Sequence, residues 1–132
     1  MASIQKQITV KAKVDDVWDA LRDVGALHTR LVPGFVVDTK LEPGARVVTF
    51  ANGMVAREEI LSVDDSTRRV AWTVNGGALK HYNGSAQAFE EPDGRTRIIW
   101  IADLLPDSAR ESIDAMMTHG MAAMQNALDK LG

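Results

Sequence analysis

The sequence predicts an α+β domain: a curved antiparallel sheet of about seven strands wrapped around one long C-terminal helix, with two short helices after the first strand. Three observations carry this expectation. Between residue 35 and about residue 104 the chain is a succession of short alternating or β-branched runs, each closed by turn residues. After Pro106 the apolar spacing lengthens from two to between three and four, the period of an amphipathic helix. With 132 residues, 45% hydrophobic and 25% charged, and no linker-like stretch or internal repeat, the chain reads as one domain over residues 1–132 that can bury a core.

Ile4, Ile8, Val10 and Ala12 fall on alternate positions, broken by Lys6, as in a half-buried first strand. Asp15 or Asp16 can cap a short helix carrying Val17, Trp18, Leu21 and Val24 at helical spacing, with Gly25 placed to stop it. A second helical piece, residues 26–31, ends before Pro33-Gly34. Glu42-Pro43-Gly44 then separates a strand at 35–41 from one at 46–51, and Asn52-Gly53 is a hairpin signal leading into 54–63. Residues 64–67 turn the chain toward 70–74, Asn75-Gly76-Gly77 opens a strand at 79–89, and Pro92-Asp93-Gly94 opens the last, at 96–103. Ser108 and Glu111 have the spacing of a capping box, and Ile113, Met116, Met117, Gly120, Met124, Leu128 and Leu131 then mark one face of a helix of roughly 23 residues, ~35 Å long. Only the sheet is large enough to cover that face. A curved sheet cannot fill its own concavity, so an elongated apolar cavity is expected where helix and sheet splay apart, the usual form of a small-molecule site.

Composition removes other classes of function. Lys and Arg number 15 against 18 Asp and Glu, a net charge of −3, so no cationic excess favours nucleic acid or an anionic membrane. Cysteine is absent, which excludes disulfides, a thiol nucleophile and Cys-based zinc sites. Lys6 interrupts what would be a signal-peptide core and no long apolar run follows, so the expectation is a cytoplasmic protein, a monomer or a homodimer, without membrane insertion. His28, His81 and His119 show no paired metal-ligand spacing, so no metal is expected. No cofactor is expected either: the glycines at 76 and 77 precede no helix that could cradle phosphate.

The layout resembles the START-like (helix-grip, SRPBCC) superfamily, in its polyketide cyclase/dehydrase and lipid-transport branch. The residues that carry the resemblance are Val17-Trp18, Gly44-Ala45-Arg46, Arg57-Glu58 with Asp64 six positions on, Arg68-Arg69-Val70-Ala71-Trp72, Gly94-Arg95-Thr96-Arg97-Ile98-Ile99-Trp100, and Pro106 before the final helix. It spans nearly the whole chain and implies the helix-grip fold, a container whose lining decides its use.

The resemblance also implies that Glu58 points into the cavity, where a carboxyl among apolar neighbours would have a raised pKa suited to proton transfer. Strand parity would then bring Met54, Ala56, Ile60 and Ser62 to the same side; the opposite parity, with Val55, Leu61 and Val63 inward, leaves Glu58 in solvent. An inward Glu58 can equally be a structural partner of Arg46 or Arg57. His28, near one end of the cavity in this fold, and Tyr82, on a strand beside the small residues Gly84, Ala86 and Ala88, are further candidates for moving a proton or orienting a carbonyl. Leu31, Phe35, Phe50, Ile60, Trp72, Trp100, Met117, Gly120, Met121 and Met124 are the expected ligand-binding surface, and each can equally be core. Three readings of function follow. The first is binding of a small, mostly apolar metabolite, whether aromatic, polyketide or lipid-like. The second is a cyclase/dehydratase using Glu58, or His28 with Tyr82. The third is a protein-interaction module of the chaperone-activator kind.

Overall fold

The computed structural model describes residues 2–74 and 79–132; the turn expected at Asn75-Gly76-Gly77 lies outside them. Seven strands form one antiparallel sheet: β1 (Ala2–Val10), β2 (Val36–Glu42), β3 (Ala45–Phe50), β4 (Val55–Asp64), β5 (Arg69–Val74), β6 (His81–Glu90) and β7 (Thr96–Leu105). Their order across the sheet is β1-β7-β6-β5-β4-β3-β2, so β1 and β2 are the edges and every other neighbour is sequential. Helix α1 (Val14–Arg22) follows β1, and α2 (Arg110–Asp129) closes the chain. This is the helix-grip arrangement the resemblance implied.

Local departures from the expected elements have identifiable causes. Helix α1 begins after Lys13, which makes no side-chain cap, and Asp15 and Asp16 instead sit in its first turn, where carboxylates favour the positive end of the helix dipole. The piece expected at 26–31 is a single π-type turn, Leu27–Leu31. Ser108 is not the cap of α2: it lies within a short 3₁₀ turn, Asp107–Ala109, and Ala109 precedes the helix without a side-chain cap. Leu131 falls beyond α2 and is half exposed.

The interruption of β1 by Lys6 has a structural purpose. Lys6 Nζ pairs with Asp114 Oδ1 of α2 at 2.8 Å, Arg110 Nη1 donates to the Ser3 carbonyl at 2.8 Å, and Gln125 Nε2 donates to the Thr9 carbonyl at 3.1 Å. The long helix is therefore tied by its polar flank to the edge strand β1. Its apolar stripe, with Met117, Gly120, Met121, Met124 and Leu128 buried, faces into the sheet's concavity. A helix held at one edge cannot reach the opposite half of a curved sheet, and space remains against β3, β4 and β5.

At the other end of the concavity α1 crosses β5 and β6. Trp18 Nε1 of α1 donates to Asp65 Oδ1 in the β4–β5 turn at 2.8 Å, which fixes the crossing. The small residues of β6 lie on its inner side. Gly84 makes room for the Trp72 ring, since a Cβ there would lie 2.6 Å from Trp72 Cε2, while Ala86 and Ala88 are buried. Replacing Gly84 by alanine forces that ring to move, so Gly84→Ala is expected to lower stability by about 1–3 kcal/mol in a urea titration.

Candidate functional site

Glu58 and Arg46 lie directly opposite one another on β4 and β3. In a sheet, opposed residues share a face, so both side chains enter the concavity together. Arg46 Nε donates to Glu58 Oε1 at 2.8 Å, and the residues are 3% and 8% exposed. The guanidinium makes two further contacts: Nη1 donates to the Val24 carbonyl at 3.3 Å, just past α1, and its carbon sits 5.3 Å from the Trp72 ring centroid, within cation–π range. Arg57 points the other way and pairs with Glu42 and Glu59. The parity with Glu58 inward is thus the one adopted, and Val55, Leu61 and Val63 are substantially exposed. Ser62 departs from it because a bulge at Leu61 shifts the β4–β5 register, and Ser62 is exposed.

The space beside this pair is an apolar cavity of about 340 Å³, near the small end of the ~300–1,000 Å³ usual for small-molecule sites. Aromatic residues form much of its wall. Phe35 and Phe50 meet edge to face with centroids 5.4 Å apart, and Trp72 and Trp100 are 6.5 Å apart. Leu31 and Met124, expected in the ligand surface, and Glu58 and Tyr82, the candidates for proton transfer, also bound the cavity. Exposed Met54 and Val55, after the β3–β4 turn, and exposed Ser112, at the start of α2, bound it where it reaches solvent.

Five expected residues do not bound it. Ile60 sits opposite Trp72 on the neighbouring strand and packs against the core. Met117 and Met121 are enclosed in the core. Gly120 acts indirectly: a Cβ there would stand 2.8 Å from Trp100 Cζ3 and 3.1 Å from Phe35 Cε2, so the bare backbone lets both rings close against α2. His28 is half-buried on the π-type turn with Nδ1 sealed and without a hydrogen-bond partner, and it lies away from the cavity wall. Arg46 is the residue the sequence reading undervalued. Its signal was parity, because Arg46, Val48 and Phe50 alternate on one face of β3, which makes the arginine an inward residue.

Burial pushes the Glu58 carboxyl up from its ordinary range, opposed by the charge and hydrogen bond of Arg46. Burial also pushes the Tyr82 hydroxyl well above the usual phenol range, reinforced by the negative charge of Glu58, so it keeps its proton at neutral pH. Trp100 Nε1 makes no regular hydrogen bond. The cavity therefore offers an aromatic body, a neutral phenol and one charge-balanced ion pair. Among the described residues, no group of three or more His, Asp or Glu side chains gathers to hold a metal. Among the same residues, no helix is long and apolar enough to cross a membrane.

Comparisons with known proteins agree with this geometry. The family model described as polyketide cyclase / dehydrase and lipid transport matches residues 1–132. Among solved structures, a START superfamily protein from Mycobacterium smegmatis superposes with a TM-score of 0.78 at 10% identity, over 98% of this chain and 99% of that one. Norcoclaurine synthase from Thalictrum flavum gives 0.74 at 21% identity, covering 98% and 85%. The di-domain ARO/CYC BexL from the BE-7585A biosynthetic pathway gives 0.84 at 15% identity; 98% of this chain matches 47% of that one. At these identities the likeness is one of fold. No functionally curated protein matches the sequence.

Removing one member of the buried pair strands the other charge. Arg46→Met, which leaves the Glu58 carboxyl buried without its counter-charge, is expected to cost about 3–5 kcal/mol in chemical denaturation, and the double variant Arg46→Met/Glu58→Leu to recover most of it. Because the folded protein holds the Glu58 proton more tightly than the unfolded chain does, this group favours folding in acid and the contribution fades as pH rises through its raised titration. The stability of the double variant relative to the original is therefore expected to grow from acid toward neutral pH, measured as the difference between two urea titrations at each pH.

Proposed function

We propose, on the premise that this chain belongs to the polyketide cyclase/dehydrase and lipid-transport family, that its cavity binds one small, mostly apolar metabolite, aromatic, polyketide or lipid-like. The single observation that supports this reading best is the unfilled cavity of about 340 Å³ between α2 and the sheet, walled by Phe35, Phe50, Trp72 and Trp100. Affinity on such a wall comes from apolar area withdrawn from water, at ~25 cal/mol per Å², while Tyr82 and the ion pair orient the ligand. The cavity reaches solvent beside Ser112, so a ligand enters without unfolding the sheet.

A second reading, catalysis of the cyclase/dehydratase kind, is favoured by one further feature: Glu58, with its raised carboxyl, and Tyr82, a phenol that keeps its proton, bound the same cavity. A carboxylate of raised pKa can take a proton from the carbon beside a carbonyl, and a neutral phenol can donate a hydrogen bond to the oxygen on which charge then develops. The cavity would hold the folded substrate in the reacting geometry.

Two variants test these readings, and the second separates them. Ser112→Trp, at the exposed mouth, is expected to weaken saturable uptake of acetonaphthone, followed by quenching of tryptophan fluorescence, without changing the unfolding midpoint; unchanged uptake would place the ligand elsewhere. Tyr82→Phe is expected to retain acetonaphthone. With a poly-β-ketone substrate it loses ring closure if the protein is a catalyst, and has nothing to lose if it is a carrier.

A further inference from the structure

The Arg46–Glu58 pair is more than a support for the sheet, because both partners bound the cavity. The guanidinium carries five N–H donors, of which Glu58 Oε1 and the Val24 carbonyl take the Nε and one Nη1 hydrogen; a carboxylate can accept about four bonds. Even a fully bidentate pair leaves an Nη2–H and carboxylate lone pairs unspent. The pair thus presents donor and acceptor side by side, with no net charge, at the wall of a mainly aromatic and aliphatic cavity that also carries the Tyr82 hydroxyl and, where it reaches solvent, Ser112. Among the described residues, the other charged residue at the boundary of the cavity is Arg57, whose side chain pairs outward with Glu42 and Glu59.

The geometry points to this edge as a polar subsite that sets specificity: it takes an uncharged head group carrying a hydrogen-bond acceptor next to an N–H or O–H donor, such as a carboxamide, a lactam or an enolised dicarbonyl, and it rejects acids. The inference rests on the ligand-binding reading above and adds the chemistry of the head group to it. The head group's oxygen accepts from Arg46 while its donor hydrogen goes to Glu58, so both halves of the pair gain a bond and neither loses its counter-charge. A carboxylate in the same place satisfies Arg46 only by setting a second negative charge against Glu58 in a desolvated site. A ketone satisfies Arg46 and leaves the Glu58 lone pairs unmatched. Ammonium head groups meet the opposite conflict, with Arg46.

The test uses three probes matched in ring and attachment position: naphthamide, acetonaphthone and naphthoate, each titrated calorimetrically into the full chain at neutral pH. Naphthamide is expected to bind most tightly, acetonaphthone next, and naphthoate at least about tenfold more weakly than naphthamide. Naphthoate equal to or tighter than naphthamide overturns the inference. The variant Arg46→Met/Glu58→Leu, which strands no charge, is expected to bind the ketone and to lose the preference for the amide; a preference that survives in it also overturns the inference. Acetonaphthone binding without any discrimination among head groups sinks the subsite alone, whereas a protein that binds none of the three loses the ligand-binding reading as well.

Discussion

One buried ion pair organises this molecule. Arg46 and Glu58 occupy directly opposed positions of β3 and β4, and the arginine extends from there to the Val24 carbonyl and over the Trp72 ring. It therefore connects the sheet, the segment after α1 and the aromatic wall of the cavity. Such a pair is weak evidence for stability, since well-packed apolar side chains could replace it at no loss or with a gain. On the proposed ligand-binding reading, the pair's place beside an open space serves recognition rather than the stability of the fold.

The hollow itself follows from a separate constraint. Helix α2 is fastened to the edge strand β1 through Lys6–Asp114, Arg110 to the Ser3 carbonyl and Gln125 to the Thr9 carbonyl. With the rod held at one side, the far half of the sheet must be covered by something other than helix. Trp72 of β5 covers part of it while Trp100 of β7 packs against α2, and the bare backbone at Gly84 and Gly120 lets those rings lie close to strand and helix. What they leave uncovered is the cavity. Glycine at these two positions trades local propensity for the placement of an aromatic wall.

Much of this was readable from the residues alone, and the part that was not has a physical reason. The seven strands announced themselves through period-two alternation and turn chemistry, and the final helix through its stripe of methionines. Helix starts were read less well, because Asp15, Asp16 and Ser108 are good capping residues in isolation while Lys13 and Ala109 precede the helices. For the site, parity supplied two candidate faces of β4 but no means to choose; burial of Glu58 with Arg46 decides it. Ser62 escaped that parity through a bulge, which no alternation pattern encodes. Met117 and Met121 share the stripe with Met124, yet only tertiary packing determines which of them meets the cavity and which is enclosed. His28 was drawn in by the resemblance rather than by its neighbours, and the fold sets it apart from the wall.

A permanent apolar hollow beside an intact charge pair is tested most directly by a crystal structure determined under xenon pressure, since xenon enters apolar cavities. Xenon is expected between the rings of Trp72 and Trp100 and the Met124 side chain, with Arg46 and Glu58 still bonded. That expectation is contradicted by a space closed by Met116, Met124 and Trp100 with no xenon in it, or by a Glu58 carboxylate turned out into water.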